Sequence, residues 1–424
     1  MTIDHNRRPL IIASILRPEG TTGVHTHIRE FRSYLNQRRI MHELVTPVSY
    51  ARFAVEPVFA LRLPLRYLAP PLSVAWYRYW HTAFLARALR QRLLRLGPAV
   101  IYAQGPEAAH AALQARTNRA QSVVMAVHFL GSQANGWIAK GHITPEGKVA
   151  RSILSSERRS LGSLDAVLYV SSAARKHFHS SLPASLATKS YVIPNFISPI
   201  HPPNEPCTIG DLVTVGALEN EKRHDFLLDV LHAAKALGHI YTLDIYGKGP
   251  LRARLQQRAA TLGVASQVRF RGFQPAVRAM LPCYRAYVHA CTTEAGPIAI
   301  VEAMAAGLPV FAPDCGGATE LFTNGVEGYH LPAEDPRAAA RALIAALDNP
   351  GSLAAAGYAA KERFARHFST SQVAPRLLEV LLAASTTECD PPSTAQGPLA
   401  PLPPRRDLQL NQALTHIQSS IPPA

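Results

Sequence analysis

Residues 292–310 read Thr-Thr-Glu-Ala-Gly-Pro-Ile-Ala-Ile-Val-Glu-Ala-Met-Ala-Ala-Gly-Leu-Pro-Val. The pair Gly296 and Pro297 predicts a loop that leads into a helix. Pro297 suits the first helical position, because the N–H that proline lacks would be unpaired there anyway. The free N–H groups of Ile298 and Ala299 then point outward at a helix N-terminus. This stretch therefore predicts an anion-binding site.

Two glutamates flank the predicted turn. Glu294 lies before the helix and Glu302 about one turn inside it, so both are within reach of one ligand. A carboxylate only accepts hydrogen bonds, and a charged acceptor binds a hydroxyl more strongly than a neutral one. The pair therefore suits a ligand rich in hydroxyl groups, although two glutamates beside a helix, taken without context, more often belong to a solvated surface.

Short β-branched runs alternate with longer amphipathic stretches along the whole chain. A buried strand is predicted at residues 10–16, followed by a glycine-containing turn at 20–23 and a helix over 25–38. Fully buried strands that alternate with helices imply parallel sheets covered on both faces. Two such sheets fit 424 residues better than one. Further strands are predicted at 99–103, 122–127, 166–170, 212–215, 241–246, 268–270, 286–290 and 310–312.

The chain divides into two predicted α/β domains. Prolines in a short central stretch, which stop helix and central strand alike, predict a linker there, and the last residues are rich in Pro, Ser and Gln. We expect an N-terminal domain at 1–198, a linker at 199–206, a C-terminal domain at 207–365, a helix at 366–384 that packs back toward the N-terminal domain, and a disordered tail at 385–424.

Charge is distributed unevenly between the two halves. Residues 1–200 hold 25 Lys and Arg against 9 Asp and Glu, whereas residues 201–424 hold 19 against 20. A hydrophobic content of 47% excludes a disordered protein. The uneven charge argues against a uniformly basic nucleic-acid coat protein and indicates that the N-terminal half faces something anionic.

Residues 52–95 hold eight arginines and eight aromatic residues, with Glu56 as the only acid. Arginine combined with aromatic side chains is typical of a surface that rests on anionic lipid headgroups. A core-packed helix whose arginines point to water explains the same composition and is the preferred interpretation, with membrane contact second. Nucleic acid is the weakest interpretation, and we expect no nucleic-acid partner.

The five cysteines are odd in number and show no C-x-x-C spacing. They predict neither a disulfide framework nor a zinc site, but thiols in a reducing cytoplasm. The polar N-terminus does not resemble a secretory signal, and no stretch approaches ~18 uninterrupted apolar residues. We expect a cytoplasmic protein, with peripheral attachment to the inner face of the membrane if the basic segment contacts lipid.

Residues 294–310 carry the pattern E-x7-E followed by A-M-A-x-G-x-P-V, and in this they resemble the retaining glycosyltransferases of the GT-B fold, of the family 4 type (glycosyl transferases group 1). The resemblance continues on both sides, more loosely in the N-terminal half. Matching segments are 215–225 (V-G-R-L-x-x-x-K-x-x-D), 247–250 (G-x-G-P), 268–272 (V-x-F-x-G), 316–320 (G-G-x-x-E), 324–328 (D-G-x-x-G), 23–27 (the glycine-rich first loop), 127–128 (the strand-end histidine), 164–171 (A-D-x-V-x-x-V-S) and 193–196 (V-I-P-N-G).

The resemblance implies two Rossmann-like domains that face a cleft, with a nucleotide-sugar donor in the C-terminal domain. Glu302 would hold the ribose, Glu294 the sugar ring, and Lys222 the diphosphate, while His128 would lie beside the reacting carbon. The predicted catalytic residues are thus His128 and Glu294. The predicted substrate-binding residues are Gly23, His27, Gly216, Lys222, Arg223, Gly247, Gly249, Gly272, Gly296, Pro297, Ile298, Ala299 and Glu302.

The implied activity is transfer of the sugar to an acceptor, either lipid-linked or a precursor of a surface glycan. No cofactor or metal is expected, because lysine and helix N-termini replace the metal electrostatically and no D-x-D motif is placed to bind one. Ala217 stands where the family usually has a phosphate-binding arginine, and Arg223 is a candidate substitute. The alternatives are a nucleotide-sugar epimerase or phosphorylase on the same fold, and a non-catalytic membrane-surface module.

Overall fold

Two parallel sheets of six strands each organise the protein, and the expected α/β fold is confirmed. The computed structural model describes residues 8–179, 189–200, 205 and 207–384. The predicted tail at 385–424 and most of the predicted linker at 199–206 lie outside the described residues. We refer below to residues 8–200 as the N-terminal half and to residues 207–384 as the C-terminal half.

The first sheet has the strand order β2-β1-β3-β4-β5-β6, and every pairing in it is parallel. Its strands are β1 (Leu10–Ser14), β2 (His42–Val45), β3 (Ala99–Gln104), β4 (Gln121–Val127), β5 (Ala166–Tyr169) and β6 (Ser190–Val192). The helices between and beside them are α1 (Gly23–Gln37), α2 (Arg52–Ala60), α3 (Arg62–Leu68), α4 (Pro70–Leu96), α5 (Pro106–Ala115), α6 (Gln133–Ala139), α7 (Lys148–Leu161) and α8 (Ser172–His179).

The second sheet has the order β12-β11-β10-β7-β8-β9 and is also parallel. Its strands are β7 (Gly210–Val215), β8 (Leu243–Tyr246), β9 (Val268–Gly272), β10 (Tyr284–Val288), β11 (Val310–Ala312) and β12 (Gly328–His330). The helices are α9 (His224–Ala236), α10 (Arg252–Thr261), α11 (Val277–Met280), α12 (Ile298–Ala305), α13 (Pro336–Leu347), α14 (Pro350–His367) and α15 (Thr370–Ala383).

Three strands, β2, β6 and β12, escape prediction from the sequence, and all three lie at sheet edges. An edge strand pairs on one side only, so it does not need the continuous apolar run of a central strand. Strand β2 reads His-Glu-Leu-Val, and only its valine is fully buried. The central strands β1, β3 and β4 are buried along their whole length, which is why their apolar runs predicted them.

The last helix, α15, packs on the N-terminal sheet although it follows the whole C-terminal sheet in sequence. Its buried face includes Leu377 and Leu381, which share one apolar cluster with Ile12 of β1 and Phe31 of α1. The chain therefore crosses back to the N-terminal half. A parallel backbone bridge joins Ile197, in the segment after β6, to Ser369, in the segment between α14 and α15.

The basic aromatic segment at 52–95 divides into two parts. The C-terminal part of α4 is core-packed, with Phe84, Leu85 and Leu89 buried, as the preferred interpretation predicts. Helices α2 and α3 differ, because they present large apolar side chains to solvent. The exposed set on and between α2 and α3 comprises Phe53, Leu61, Leu63, Tyr67 and Leu68.

Cys207 and Cys283 form a disulfide, so the prediction that all cysteines are free thiols is wrong. The two residues are 76 positions apart in sequence, and their Cα atoms lie 5.0 Å apart. The backbone N–H of Ile209 donates to the carbonyl of Cys283 at 2.8 Å, which brings the start of β7 against the turn before β10. The pairing of β7 with β10 brings the two cysteines together, and the spacing of cysteines in the sequence does not reveal that pairing. Cys291 and Cys315 are free.

No helix in the described part of the chain has both the length and the apolar composition needed to cross a bilayer.

Candidate functional site

The N-termini of two helices from opposite halves face each other. A Cβ placed on Gly23, the first residue of α1, would lie 3.4 Å from Cγ2 of Ile298, the first residue of α12. Helix α12 starts one residue later than predicted, so Pro297 precedes the helix instead of opening it. The first hydrogen bond of the helix runs from the N–H of Ile300 to the carbonyl of Pro297. The N–H groups of Ile298 and Ala299 precede it and do not take part in the helical hydrogen bonds. Both helix dipoles therefore favour negative charge at this junction.

Lys222 forms an ion pair with Glu294, which lies in the loop that leads into α12. Oε2 of Glu294 lies 2.8 Å from Nε2 of His289, which follows strand β10. Burial by itself raises the pKa of Glu294, but the charge of Lys222 and the contact with His289 outweigh it and hold the pKa well below its usual value. Burial likewise lowers the pKa of Lys222, and Glu294 reverses that effect so that its pKa is raised. Both groups are therefore charged at neutral pH.

Glu302 is buried and binds Arg278, whose Nε donates to Oε1 of Glu302 at 2.8 Å. The same guanidinium donates through Nη1 to Oε1 of Glu30 on α1 at 2.7 Å. The other oxygen of Glu30 accepts from the backbone N–H of Ser198 at 2.9 Å and from its hydroxyl at 2.7 Å. Arg278 thus connects the helix that carries Glu302 to the N-terminal half. Burial raises the pKa of Glu302, and Arg278 opposes that effect.

A chain of neutral hydrogen bonds also links the halves. The hydroxyl of Tyr102 donates to Nε2 of His27 at 2.8 Å, and Nδ1–H of His27 donates to Oδ1 of Asn195 at 3.2 Å. The amide of Asn195 then donates to the carbonyl of Gly296 at 2.7 Å, directly before α12. Burial lowers the pKa of His27 to about 4, and the neutral ring fits this order of donors and acceptors. His27 is 1% exposed. Through its hydrogen bond to Asn195, it helps to hold the loop that precedes α12.

His128 stands at the end of β4, next to His27, with ring centroids 5.1 Å apart. Its Nε2 lies 2.9 Å from Oε1 of Gln104, a residue at the end of the neighbouring strand β3. Burial and the proximity of His27 lower the pKa of His128 well below its usual value. His128 is therefore a neutral, oriented imidazole.

The predicted glycines serve backbone packing between loops. A Cβ on Gly247 would lie 1.8 Å from the carbonyl oxygen of Gly216, and one on Gly249 would lie 2.4 Å from that of Leu218. Only glycine fits at these positions, because the loops after β7 and β8 run in direct contact. Gly272 has a φ of 70° at the end of β9, and its carbonyl accepts from the N–H of Gly247 at 2.8 Å. The sequence analysis assigned these glycines to substrate binding. In the structure they allow two loops of the chain to approach each other closely.

Arg223, the candidate substitute for the arginine missing at Ala217, is directed elsewhere. Its Nη2 donates to the carbonyl of Ala333 at 2.8 Å, and its guanidinium lies 5.0 Å from the ring of Phe226. The cation that lies over Gly216 is Lys222, whose side-chain carbons would be 3.6–3.8 Å from a Cβ on that glycine. Arg223 thus braces the start of α9 against the loop that follows β12.

One possible metal-ligand set lies within this site. His289, Cys291 and Glu294 each offer a ligand atom, and these atoms lie within 4.8 Å of one another. Burial and Glu294 raise the pKa of Cys291 to about 11, which favours the neutral thiol over the thiolate that a metal requires. The ammonium group of Lys222 already neutralises Glu294. The set therefore suits an ion-paired polar site better than a metal centre, and metal independence stays a prediction.

Several residues of the site were not predicted from the sequence, among them Asn195, His289, Glu30 and Arg278. Asn195 lies in the segment 193–196 and offered a signal, because a buried amide next to a linker needs partners for both of its ends. His289 lies near the carboxyl end of the strand predicted at 286–290, which is where ligands collect in α/β sheets. Glu30 and Arg278 offered no signal, since they are 248 positions apart and nothing local marks either one.

Two parallel six-stranded sheets with flanking helices are the architecture of the GT-B class of transferases, and Lys222, Glu294 and Glu302 all lie in the C-terminal half. The chain matches two families, Glycosyltransferase Family 4 over residues 21–200 and Glycosyl transferases group 1 over residues 204–363. The chain belongs to this group of glycosyltransferases, which confirms the family seen in the sequence, while retention of configuration stays a prediction.

Individual relatives are more distant. The chain is 31% identical over 131 residues to the GtfA subunit of the UDP-N-acetylglucosamine–peptide N-acetylglucosaminyltransferase of Streptococcus gordonii, which covers 31% of this chain and 26% of the relative. It is 30% identical over 193 residues to the putative colanic acid biosynthesis glycosyltransferase WcaL of Escherichia coli, covering 43% and 47%. The chain thus spans less than half the length of these relatives.

A solved structure extends the comparison to most of the chain. Anabaena Alr3699/HepE, crystallised with UDP and glucose, superposes with a TM-score of 0.62 at 19% identity and covers 89% of this chain and 99% of that one. At this identity the likeness establishes the GT-B fold.

Proposed function

We propose that this protein transfers a sugar from a uridine diphosphate sugar to a hydroxyl of a glycan acceptor, with retention of configuration at the anomeric carbon. The observation that carries the proposal is the junction of the two helix N-termini at Gly23 and Ile298. A diphosphate is the ligand that such a site favours, because both helix N-termini carry partial positive charge and Lys222, paired with Glu294 in the loop before α12, adds a cation. The choice of uridine rests on the HepE complex and on the name of the Streptococcus relative.

Each acidic side chain has a separate role in the proposal. Arg278 occupies Oε1 of Glu302, and Oε2 is then the atom that accepts from the ribose hydroxyls. Glu294 accepts from the hydroxyls of the transferred sugar, and its low pKa keeps it ionised for that purpose. Lys222 faces the same carboxylate and serves the phosphate, as a compact cation on a flexible stem.

In the proposed reaction the acceptor hydroxyl attacks the anomeric carbon on the face from which the phosphate leaves. The bond between that carbon and the phosphate oxygen breaks, and a bond to the acceptor oxygen forms. The hydroxyl proton passes to the departing phosphate, so UDP leaves with the proton that the acceptor loses. The helix N-termini and Lys222 stabilise the negative charge that develops on the phosphate. His128, a neutral imidazole held by Gln104, positions the sugar.

The acceptor side of the proposal rests on the N-terminal half. We infer that the acceptor is lipid-linked and that α2 and α3 rest on an anionic bilayer, because Phe53, Tyr67 and Leu68 are each more than 80% exposed. Arg52 and Arg66 lie on the same two helices. Binding to phosphatidylglycerol vesicles is expected to weaken as salt is added, since added ions screen the arginines. Binding that is absent or independent of salt would remove this part of the proposal.

A donor panel tests the central claim. In a thermal-shift assay with UDP-, GDP-, ADP- and dTDP-glucose, a UDP sugar should raise the melting temperature most. A larger rise with another base would overturn the choice of uridine, and no rise with any donor would overturn the donor site. Proton NMR of the first product formed then tests retention, because the anomeric coupling distinguishes the two configurations.

A further inference from the structure

A cleft of about 380 Å³ lies in the N-terminal half, apart from the donor residues described above. It is bounded by the segment after β1, the turn Pro47–Ser49 and helices α2 to α4. The residues that give it its chemistry are Arg17, Arg62, Arg66, Phe59, Tyr77 and His81.

The three arginines carry positive charge that the protein does not neutralise. Within the described residues, no carboxylate forms an ion pair with Arg17, Arg62 or Arg66, and the one acid that lines the cleft is the exposed Glu19. Arg62 is half-buried, with Nε donating to the hydroxyl of Ser73 at 3.1 Å. A desolvated guanidinium without a counter-ion is costly, and an anion that enters the cleft would remove that cost.

The floor of the cleft is aromatic. The ring of His81 is stacked on that of Phe59 with centroids 3.8 Å apart, and it lies 3.9 Å from that of Tyr77. Burial lowers the pKa of His81 to about 4, so the imidazole adds no charge to the cleft. The guanidinium of Arg62 lies 4.4 Å from the ring of Tyr77. A flat apolar floor beside fixed cations suits a ligand with an anionic group attached to an apolar or ring-shaped neighbour.

The cleft touches two other features of the molecule. Leu63 lines it and is also 64% exposed, as part of the apolar surface of α2 and α3. It is also lined by His25, two residues after Gly23. A Cβ placed on Gly23 would contact Ile298 at the donor junction. The first turn of α1 therefore separates the cleft from the site proposed for the diphosphate of the donor.

We propose that this cleft binds the phosphate or diphosphate of the acceptor, with Arg17, Arg62 and Arg66 as its anion ligands and the apolar surface of α2 and α3 as the seat of the attached lipid chain. This assignment rests on the proposed transferase function, because it places the sugar of the acceptor between the cleft and the donor. It also explains why the excess positive charge lies in the half that does not hold the donor.

The test uses the full chain with farnesyl diphosphate, inorganic pyrophosphate, and phosphatidylglycerol vesicles. The test variant is Arg62→Gln/Arg66→Gln. The control is Arg87→Gln/Arg90→Gln, which removes the same charge from exposed positions of α4 outside the cleft. Farnesyl diphosphate should bind the test variant at least tenfold more weakly than the control. Vesicle binding should fall in both variants, and further in the test variant, because Arg66 lies on the surface of α2 and α3 proposed to rest on the bilayer.

Equal loss of farnesyl diphosphate affinity in the two double variants would overturn the site and leave general surface charge as the explanation. Equal affinity of the wild-type protein for pyrophosphate and farnesyl diphosphate would overturn the seat for the lipid chain. If the double variant does not fold, Arg66→Gln alone serves, since its side chain is exposed. UDP binding, measured on every variant, should stay unchanged. Its absence in the wild type would overturn the transferase proposal, and the farnesyl diphosphate result would then show only an anion site in the cleft, without its role as the acceptor site.

Discussion

Glu30 and Glu302, which lie on facing helices of opposite halves, bind the same guanidinium, that of Arg278. Both carboxylates are at least nine-tenths buried, and each receives one charge-assisted hydrogen bond from it. The residue proposed to hold the ribose is therefore oriented by a contact that also joins the two halves. A ligand that binds Glu302 would therefore also affect the contact of Arg278 with Glu30, which links the two halves.

Replacement of Arg278 by Gln should affect both stability and donor binding. It leaves two buried carboxylates without a counter-ion, and we expect a loss of about 3 kcal/mol in the free energy of unfolding together with weaker UDP binding. Urea unfolding and calorimetric titration measure the two effects. The control Arg285→Gln breaks the more exposed pair with Asp211 and should cost about 0.5 kcal/mol. Equal effects of both variants would show that the contacts of Arg278 with Glu30 and Glu302 have no special role.

Replacement of Glu302 by Ala should weaken UDP binding while the fold persists, because Arg278 keeps its contact with Glu30. Loss of the ribose contacts should cost roughly 1.5–3 kcal/mol of binding free energy. Isothermal titration with UDP measures this. Glu362→Ala, which removes an exposed helix pair with Arg366, should leave the affinity unchanged. Unchanged transfer by the Glu302 variant would refute the assignment of the donor site.

Removal of metal ions tests the electrostatics of the site. We expect transfer to persist in EDTA, because Lys222 and two helix N-termini would supply positive charge to the diphosphate of the proposed donor. Lys222→Ala should lower kcat/KM about 100-fold, as loss of one stabiliser of developing charge does elsewhere. Lys361→Ala, an exposed lysine of α14, is the control. Activity that EDTA abolishes and Mn²⁺ restores would instead favour a metal at His289, Cys291 and Glu294.

Acid should destabilise the protein through its buried histidines. The pKa of His27 is about 4 in the folded state against 6.5 in the unfolded chain, so only the unfolded chain binds this proton between those values. Stability should therefore fall as the pH is lowered from 6.5 to 4. In His27→Gln that slope should be shallower by up to about 1.4 kcal/mol per pH unit. Unfolding by urea at several pH values measures it, and His177→Gln, at an exposed position, should follow the wild type.

The disulfide should contribute to stability when it is formed. Closing a loop of 76 residues is worth roughly 4 kcal/mol on chain-entropy grounds. Reductant should lower the melting temperature of the wild type but not that of Cys207→Ser, with Cys315→Ser behaving like the wild type. A wild-type melting temperature that does not respond to reductant would show that the bond is not formed in the protein under those conditions.

Much of the fold was predictable because central parallel strands are buried on both faces and therefore appear as continuous apolar runs in the sequence. The three missed strands lie at sheet edges, where that requirement is relaxed. The proposed donor site was partly predictable, because Glu294, Glu302 and Lys222 lie in motifs with fixed spacing, and the structure pairs Lys222 with Glu294. The positions of Arg223 and the start of α12 were not, since side-chain direction and the exact cap depend on neighbours from other loops.

By itself, the sequence determined the alternation of strand and helix and the glycine loops. These depend on local requirements, such as the lack of space for a Cβ at Gly247. Only the tertiary structure decided that Glu30 meets Arg278, that Asn195 reaches Gly296, and that Cys207 pairs with Cys283. Each of these contacts joins residues that are 76 or more positions apart. Such contacts follow from the packing of the sheets and helices, which no local pattern of residues records.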